Sequence, residues 1–285
     1  MDYLKKYNQM LDAKGVSAHT KKSYNTYIST FLTYVDSIDK YMSEIKDKDL
    51  QNYIVWLKTS RNLSDRTINA AISQLKFFWE MVLRKPWNPY VVPFRKFDEY
   101  LPFVPTKEET IKFITSMPDL KQQAMIVLMY SSGLRICEVC NLRYEDISRK
   151  SMTIHITHSK NRSDRYALLS ENALDILTKY WFTYGKPTGY LFPKQRDQTN
   201  PIDTNFIRRH IEAHEKRLGW PKRFTCHTFR HAYGTHLYQA GVDLLTIKTL
   251  MGHKSLASTV IYVHLAVGKT MNVVSPFDSM EVSNV

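Results

Sequence analysis

Hydrophobic residues recur every three or four positions through residues 1–83, which is the spacing of helices that bury one face. After Ser17 this spacing is kept by Tyr24, Tyr27, Ile28, Phe31 and Val35. A third helix is predicted from Ser43, and a cap at Ser64 or Asp65 begins a fourth. The helical phase of the tyrosines favours a place in a shared core over a surface on which bases stack. We therefore expect about four helices around one core.

Prolines interrupt this helical pattern. Five of the eleven prolines of the chain fall in one short stretch, at Pro86, Pro89, Pro93, Pro102 and Pro105. Proline lacks a backbone donor and stiffens the chain, so the stretch predicts an extended linker. We therefore divide the chain into a first domain of residues 1–85, a linker of residues 86–105 and a second domain of residues 106–285.

The second domain mixes two hydrophobic periods. It opens with a capping box at Thr106, and helices are predicted over residues 124–130 and 134–142. Apolar and polar residues alternate over residues 152–156, and a polar turn leads to a second strand over residues 165–169. Further helices are predicted over residues 170–181, 203–218, 227–240, 243–251 and 255–264. The predicted fold is mainly α with two domains, a four-helix N-terminal domain and a mixed α+β domain with a small antiparallel sheet.

Composition narrows the class of protein. Hydrophobic residues make up 43% of the 285 and charged residues 24%, as in soluble globular proteins. Apolar runs stay well short of the roughly 18 residues of a membrane span, and the N-terminus lacks the apolar stretch of a signal peptide. We expect no membrane segment, and the small number of cysteines, three, indicates a reducing cytoplasm.

The net charge indicates a polyanion as partner. The formal net charge is +13, and residues 1–85 hold 14 Lys+Arg against 9 Asp+Glu, so the excess is spread over both domains. A basic surface of this extent favours nucleic acid. The basic residues left outside the core of the first domain, available to phosphates or to solvent, are Lys21, Lys22, Arg61, Arg66 and Lys76.

The cysteines do not indicate a metal site. Cys137 and Cys140 form a C-x-x-C, but no second pair completes a zinc site, and both fall in an apolar helical pattern. We interpret both as small core residues. The sequence also shows no carboxylate cluster suited to a pair of divalent metals, so no metal is expected.

Groups suited to phosphate chemistry gather near the C-terminus. His227 and Arg230 stand three apart, so on a helix they project from one face. A guanidinium matches a phosphate bidentately, and Tyr262, with His264 two residues later, offers the oxygen that attack on phosphorus requires. Taken alone, Tyr262 is better interpreted as an ordinary half-buried aromatic residue, and His227 as a helix cap. Their combination favours phosphoryl transfer.

Six residues resemble, in order, spacing and context, the catalytic positions of the tyrosine recombinases, the phage-integrase family: Arg135, Lys160, His227, Arg230, His253 and Tyr262. Residues 133–138 are similar to that family's G-x-R-x-x-E box, and Lys160 lies in the turn of the predicted hairpin, where the family places its catalytic Lys. The N-terminal helices and the proline stretch resemble its DNA-binding core-binding domain and its connector. The resemblance covers nearly the whole chain and makes residues 106–285 the catalytic domain.

The chain departs from the family pattern at four positions around these residues. The family often has Gly on both sides of the hairpin Lys, whereas here Ser159 and Asn161 flank it. Phe229 and Met251 stand where Leu is commoner. The two apolar exchanges are expected to leave the chemistry unchanged.

The resemblance implies two-step phosphoryl transfer on DNA. Tyr262 attacks a phosphodiester, which gives a 3′-phosphotyrosine and a free 5′-hydroxyl. The 5′-hydroxyl of another strand then reverses the step, so no nucleotide cofactor is needed. Arg135 and Arg230 clamp the non-bridging oxygens and supply the charge stabilisation that divalent metals supply elsewhere.

The remaining catalytic positions are implied to act on protons and on the phosphate. Lys160 is the candidate general acid for the leaving 5′-oxygen, and His227 is the base that assists Tyr262. His253 is a hydrogen-bonding partner of the phosphate. Neighbours interpreted as orienting or structural are Glu138, His231 and His264.

The expected function is site-specific recombination of double-stranded DNA, as by a phage or mobile-element integrase or a resolvase. Strand exchange between two duplexes implies four protomers that contact one another on DNA. The apolar tail from Ala266 to Val285 either covers its own domain or reaches a neighbour. Two alternatives stay open: an enzyme like a type IB topoisomerase, which rejoins the same strand, and a DNA-binding relic without chemistry.

Overall fold

The computed structural model describes residues 2–157, 164–221 and 224–266. Lys160 and the tail beyond Ala266 therefore lie outside the described residues. The described residues are mainly helical and contain a three-stranded antiparallel sheet. This confirms the predicted fold class.

The contacts divide the chain into two compact units, Met1–Glu99 and Tyr100–Val285. The first unit contains α1 (Tyr3–Ala13), α2 (Ala18–Ser37), α3 (Asp47–Thr59) and α4 (Asp65–Met81). The third helix begins later than the sequence predicts, because Ser43 lies in a separate 3-10 turn, Met42–Glu44. The carboxylate of Asp49, in the first turn of α3, accepts a hydrogen bond from the N–H of Lys46 at 2.9 Å, and this contact fixes the later start of the helix.

Aromatic rings fill the core of the first unit. The ring centroids of Phe31 and Tyr53 lie 5.1 Å apart, and those of Phe31 and Phe78 lie 6.2 Å apart, both edge to face. Tyr24 and Tyr27 pack against this core, as their helical phase predicts. The tyrosines of α2 therefore belong to the packing of the unit.

Much of the proline stretch folds onto the first unit. Val92 is buried in its core. The side-chain amide of Asn69 donates to the carbonyl of Arg95 at 2.9 Å, and its oxygen accepts from the N–H of Arg95 at 2.8 Å. The prolines end the helices, but the apolar residues between them still pack. The division between the units lies at Glu99, inside the predicted linker of residues 86–105.

The second unit carries the sheet and the larger set of helices. Its elements are α5 (Lys107–Thr115), α6 (Leu120–Ser131), α7 (Ile136–Asn141), β1 (Ile147–Ser148), β2 (Thr153–Ile156), β3 (Arg165–Leu168), α8 (Glu171–Thr183), α9 (Thr204–Leu218), α10 (Cys226–Gln239), α11 (Leu244–Met251) and α12 (Ala257–Ala266). The strand order is β1-β2-β3, with Ile154 opposite Ala167 and Ile156 opposite Arg165. The sequence does not predict β1, since two residues are too short for an alternation.

Helix α6 lies at the centre of the second unit. Its residues Met125, Ile126, Leu128 and Met129 are fully buried, which explains the unbroken apolar run. It packs against α8 and against α10, and α10 packs in turn against α11 and α12. Helix α10 therefore connects the buried core with the last two helices of the described chain.

The cysteines of the C-x-x-C differ in exposure. Cys140 is buried in the core, but Cys137 is exposed, so the prediction that both are core residues is wrong for Cys137. The reason is that α7 is short and turns one face to the core.

Across the described residues, no group of three or more His, Cys, Asp or Glu is arranged to hold a metal ion. None of the described helices is long and apolar enough to cross a membrane.

Candidate active site

Four neighbouring helices of the second unit bring the predicted catalytic residues together. The described ones are Arg135 at the start of α7, His227 and Arg230 in the first turns of α10, His253 directly after α11, and Tyr262 in α12. Lys160 lies outside the described residues.

The guanidinium of Arg230 is buried and held by the main chain. It donates to the carbonyl oxygens of Gly133 and Met251, the latter at 2.5 Å. Burial, reinforced by the charge of Arg135, lowers the pKa of Arg230 to about 10. The main chain therefore fixes a buried positive charge at the start of α10.

Arg135 is held by the carboxylate of Glu138, one turn later in α7. Its Nη1 donates to Glu138 Oε1 and its backbone N–H to Glu138 Oε2, both at 2.8 Å, and its Nη2 donates to the carbonyl of Gly252 at 3.3 Å. Burial opposes ionisation of Glu138, but hydrogen bonds and charge from Arg165 and Arg135 outweigh it and lower the pKa to about 2. Glu138 is thus an ionised, buried carboxylate that is hydrogen-bonded to Arg135, and its orienting role stays a prediction.

The sequence did not single out Arg165, the second partner of Glu138. Its Nη1 and Nη2 donate to the two carboxylate oxygens at 2.8 Å each, and its Nε donates to the carbonyl of Leu250 at 3.3 Å. A signal was present, because Arg165 shares the inward face of β3 with buried Ala167. A charge at an inward position requires a buried partner.

The C-terminal end of α11 organises the three arginines, which we call the arginine cluster: Arg135, Arg165 and Arg230. Three consecutive carbonyls, those of Leu250, Met251 and Gly252, each accept from a different arginine of the cluster. The last carbonyls of a helix lack partners within the helix and carry partial negative charge. The helix end therefore gathers three cations with one carboxylate among them, which leaves excess positive charge for an anion.

Tyr262 lies against this cluster with its ring buried. Burial raises its pKa to about 12, against the opposing charges of Arg230 and Arg135. Its ring packs on Gly234 of α10, where an added Cβ would lie 2.5 Å from Cζ of the tyrosine. The ring of His253 stacks on it at a centroid distance of 6.2 Å. The phenol is therefore protonated near neutral pH and needs a base to react as a nucleophile.

His253 is neutral and oriented by a hydroxyl. Its Nδ1 lies 3.0 Å from Oγ1 of Thr259, which is fully buried in α12 one turn before Tyr262. Burial, and then the charge of Arg230, lowers its pKa to about 4. The helix that carries Tyr262 thus also holds the imidazole of His253 in place.

Two of the three histidines of α10, His227 and His231, lie in its first half. His227 is in its first turn, with its ring centroid 6.3 Å from that of His231, and His231 lies 6.1 Å from the ring of Tyr262. Burial and the neighbouring His227 lower the pKa of His231 to about 4. Among the described residues its buried Nδ1 has no hydrogen-bond partner. His264 is exposed, in contrast to the half-buried His231.

Comparison with known proteins gives a family match over both units. The model of the phage integrase family matches residues 106–269, and that of the phage integrase N-terminal SAM-like domain matches residues 3–89. Together they span most of the chain. The stretch between the two matches falls within the predicted linker.

Individual relatives cover nearly the full length. A putative integrase/recombinase, y4qK, of Sinorhizobium fredii is 33% identical over 94% of this chain and 86% of its own. A tyrosine recombinase of Thermosipho africanus is 31% identical over 88% of this chain and 90% of its own. The Tn1549 transposon integrase, solved in complex with circular intermediate DNA, superposes with a TM-score of 0.73 at 20% identity, over 92% of this chain and 95% of that one. At that identity the superposition shows a shared fold.

Proposed function

This chain belongs to the phage integrase family and is a site-specific DNA recombinase of the tyrosine type, and we propose that Tyr262 is its nucleophile. The observation that carries this proposal is the arginine cluster at the end of α11, with the ring of Tyr262 packed beside it. A scissile phosphate bound at the cluster would meet the phenol oxygen and two anchored guanidiniums together. We assign residues 1–85 to DNA binding, residues 86–105 to the connection and residues 106–285 to catalysis.

The first step forms one bond and breaks one bond at phosphorus. The oxygen of Tyr262 attacks the phosphodiester, the 5′-oxygen leaves, and the 3′-phosphate stays bound to the tyrosine. Arg135 and Arg230 bind the non-bridging oxygens and stabilise the charge that develops on them. Because main-chain carbonyls and Glu138 already hold these guanidiniums, little reorganisation is needed at the moment of reaction. A 5′-hydroxyl from a second strand reverses the step and completes the exchange.

Two protons must move in each step. The phenol of Tyr262, with a pKa raised to about 12 by burial, loses its proton as it attacks, and we assign this proton to His227. Lys160 is assigned to the leaving 5′-oxygen as the general acid. His253, neutral because its pKa is lowered to about 4, is assigned a hydrogen bond to a phosphate oxygen.

The proposed substrate is double-stranded DNA that carries specific recombination sites, and the proposed active form is a tetramer on two such duplexes. The basic excess on both domains, within a net charge of +13, supports binding to the phosphate backbone. The Tn1549 transposon integrase, whose fold this chain shares, was solved in complex with circular intermediate DNA. We therefore propose that this recombinase acts on DNA in the cytoplasm, in the integration or excision of an element.

A plasmid assay separates recombination from simple relaxation. Duplexes that bind the protein are first selected from a random library, and two copies of the selected sequence are placed on one supercoiled plasmid. We expect deletion or inversion of the segment between the copies. Relaxation without exchange, equally on a plasmid that lacks the copies, would instead indicate an enzyme like a type IB topoisomerase. Binding without any strand cleavage would indicate a relic.

A further inference from the structure

Arg165 is the member of the arginine cluster to which the proposed chemistry gives no role. We propose that Arg165 is a positioning residue, which holds Glu138 so that the guanidinium of Arg135 is aimed at the scissile phosphate. This inference rests on the proposed function of the site. It adds a residue to the reaction that acts through another residue and not on the substrate.

Both oxygens of the Glu138 carboxylate accept hydrogen bonds from the two arginines. Its Oε1 accepts from Nη1 of Arg135 and Nη1 of Arg165, and its Oε2 accepts from the backbone N–H of Arg135 and Nη2 of Arg165, all at 2.8 Å. A carboxylate with four charge-assisted or main-chain donors has no freedom to rotate. The orientation of one guanidinium is thereby coupled to the presence of the other.

The contacts and the burial of Arg165 favour a role through the protein over a direct role on the substrate. Each nitrogen of its guanidinium donates to a protein acceptor, two to Glu138 and one to the carbonyl of Leu250. Its side chain is 9% exposed, against 18% for that of Arg135. Arg135 is therefore the guanidinium with access to a phosphate, and Arg165 acts from behind it.

Removal of the Arg165 charge would change what Arg135 does. Glu138 would remain buried, and Arg135 would be left as its guanidinium partner. Arg135 would then pair more strongly with the carboxylate of Glu138. The negative charge of Glu138 would neutralise the positive charge of Arg135 that the phosphate needs. With Arg165 present, the negative charge of Glu138 is shared, and Arg135 keeps positive charge for the transition state.

Gly252 provides independent support, since it contacts both arginines. A Cβ at this position would lie 2.7 Å from Cδ and 3.0 Å from Nε of Arg165. The carbonyl of the same residue accepts from Nη2 of Arg135 at 3.3 Å. Its φ of +61° is also the left-handed conformation that caps α11. The chain thus leaves space for the Arg165 side chain at the residue that binds Arg135.

The test compares Arg165→Gln and Arg165→Lys with Arg149→Gln, which removes an exposed arginine of the same unit. The substrate is a selected duplex with a nick beside the scissile phosphate, so that cleaved product stays attached to the protein. We expect Arg165→Gln to slow single-turnover cleavage by about 30-fold, in the range of residues that orient a functional group. Binding of the intact duplex should stay within about 3-fold, and Arg149→Gln should cleave like the wild type.

A stereochemical readout separates positioning from a general structural defect. A methylphosphonate at the scissile position replaces one charged non-bridging oxygen with a methyl group, and its two diastereomers remove different oxygens. One diastereomer should restore cleavage by Arg135→Ala. The same diastereomer should bring the cleavage rate of Arg165→Gln closer to that of the wild type, and the other diastereomer should not. If Arg165→Gln is slower than the wild type by the same factor on both diastereomers and on the phosphate substrate, the proposal is overturned.

The conservative variant and the wild type complete the experiment. Arg165→Lys keeps the charge without the two-pronged contact, so we expect a rate between those of Arg165→Gln and the wild type. If Arg165→Gln loses folding in a thermal unfolding scan, Arg165→Lys carries the same diastereomer test. A wild-type rate in both variants would also contradict the positioning role. Failure of the proposed function gives a different result, because the wild type itself would then form no covalent adduct.

Discussion

Thr259 sets the state of a candidate catalytic side chain by one hydrogen bond. Its Oγ1 lies 3.0 Å from Nδ1 of His253, and its side chain is fully buried. When the hydroxyl donates to Nδ1, the proton of the neutral ring resides on Nε2, which can then donate to a phosphate oxygen. The helix that carries Tyr262 thus orients the ring of His253, and the direction of this one hydrogen bond decides which ring nitrogen carries the proton.

Replacing Thr259 with Val should impair chemistry more than folding. The change keeps the shape but removes the hydroxyl, so His253 loses the partner that fixes its tautomer and its ring orientation. We expect single-turnover cleavage to slow by about 10-fold, and the free energy of unfolding to fall by about 1 kcal/mol. The matched control is Thr259→Ser, which keeps the hydroxyl and should retain most of the rate. Equal rates for Thr259→Val and the wild type would contradict this role.

The site was predictable from the sequence only where residues sit at short, fixed spacings. Arg230 follows His227 by one helical turn, and such spacing is visible without a structure. The partnership of Arg165 with Glu138 joins residues 27 apart, and it exists only once β3 packs beside α7 and α11. Its hydrogen bonds could not be predicted because nothing in the local pattern specifies that packing.

Among the elements, the contact between α10 and α12 determines where the nucleophile lies. Gly234 of α10 has no side chain, and the ring of Tyr262 occupies the space that a Cβ would need, at 2.5 Å from Cζ and 2.6 Å from Cε2. The two helices therefore pack against each other through the phenol ring at Gly234. Because α10 also carries Arg230, this contact sets the distance between the nucleophile and the charge that stabilises the transition state.

Gly234→Ala should displace the ring of Tyr262. The added methyl group meets a buried ring, so we expect a loss of about 1–3 kcal/mol in the free energy of unfolding. A shift of the phenol by a fraction of an ångström to one ångström should slow cleavage by about 100-fold. Denaturant titration and single-turnover cleavage measure the two effects. Gly189→Ala is the control, since an added Cβ there meets nothing within 4 Å; a Gly234→Ala rate like that of the control would contradict the account.

The sequence predicted most helices but not every boundary, and each difference has its own physical reason. The strong apolar periods of α2 and α4 predicted those helices, and of the two candidate caps for α4 the structure uses Ser64. The start of α3 was wrong because a 3-10 turn, Met42–Glu44, continues the helical spacing without being part of the helix. Strand β1 was missed because it forms by pairing with β2 and has no alternation of its own.

For the whole molecule, the distribution of charge determines how it would hold DNA. The first unit exposes Lys22 and Arg61, and both units share the net charge of +13. Not every basic side chain is equally available, because Lys21 pairs with Asp12 at 2.8 Å. Surface cations that bind phosphates release counterions from DNA, so they set the salt dependence.

Replacing Lys22 and Arg61 together with Gln should weaken binding and flatten its salt dependence. Each phosphate that the variant fails to neutralise should reduce the slope of log K against log salt concentration by about 0.9, so a change of about 1 to 2 is expected. Fluorescence anisotropy over a salt series on a selected duplex measures it. Lys21→Gln is the control and should change the slope less. An unchanged slope in the double variant would remove these two side chains from the DNA interface.

In the proposed mechanism Tyr262 forms the covalent bond to DNA. Tyr262→Phe keeps the buried ring against Gly234 and removes only the attacking oxygen, so folding and DNA binding should be retained. The decisive measurement is the amount of covalent protein–DNA adduct on a nicked duplex of the selected sequence, resolved on a denaturing gel. We predict an adduct for the wild type and none for Tyr262→Phe. An adduct at the wild-type level in Tyr262→Phe would contradict this mechanism.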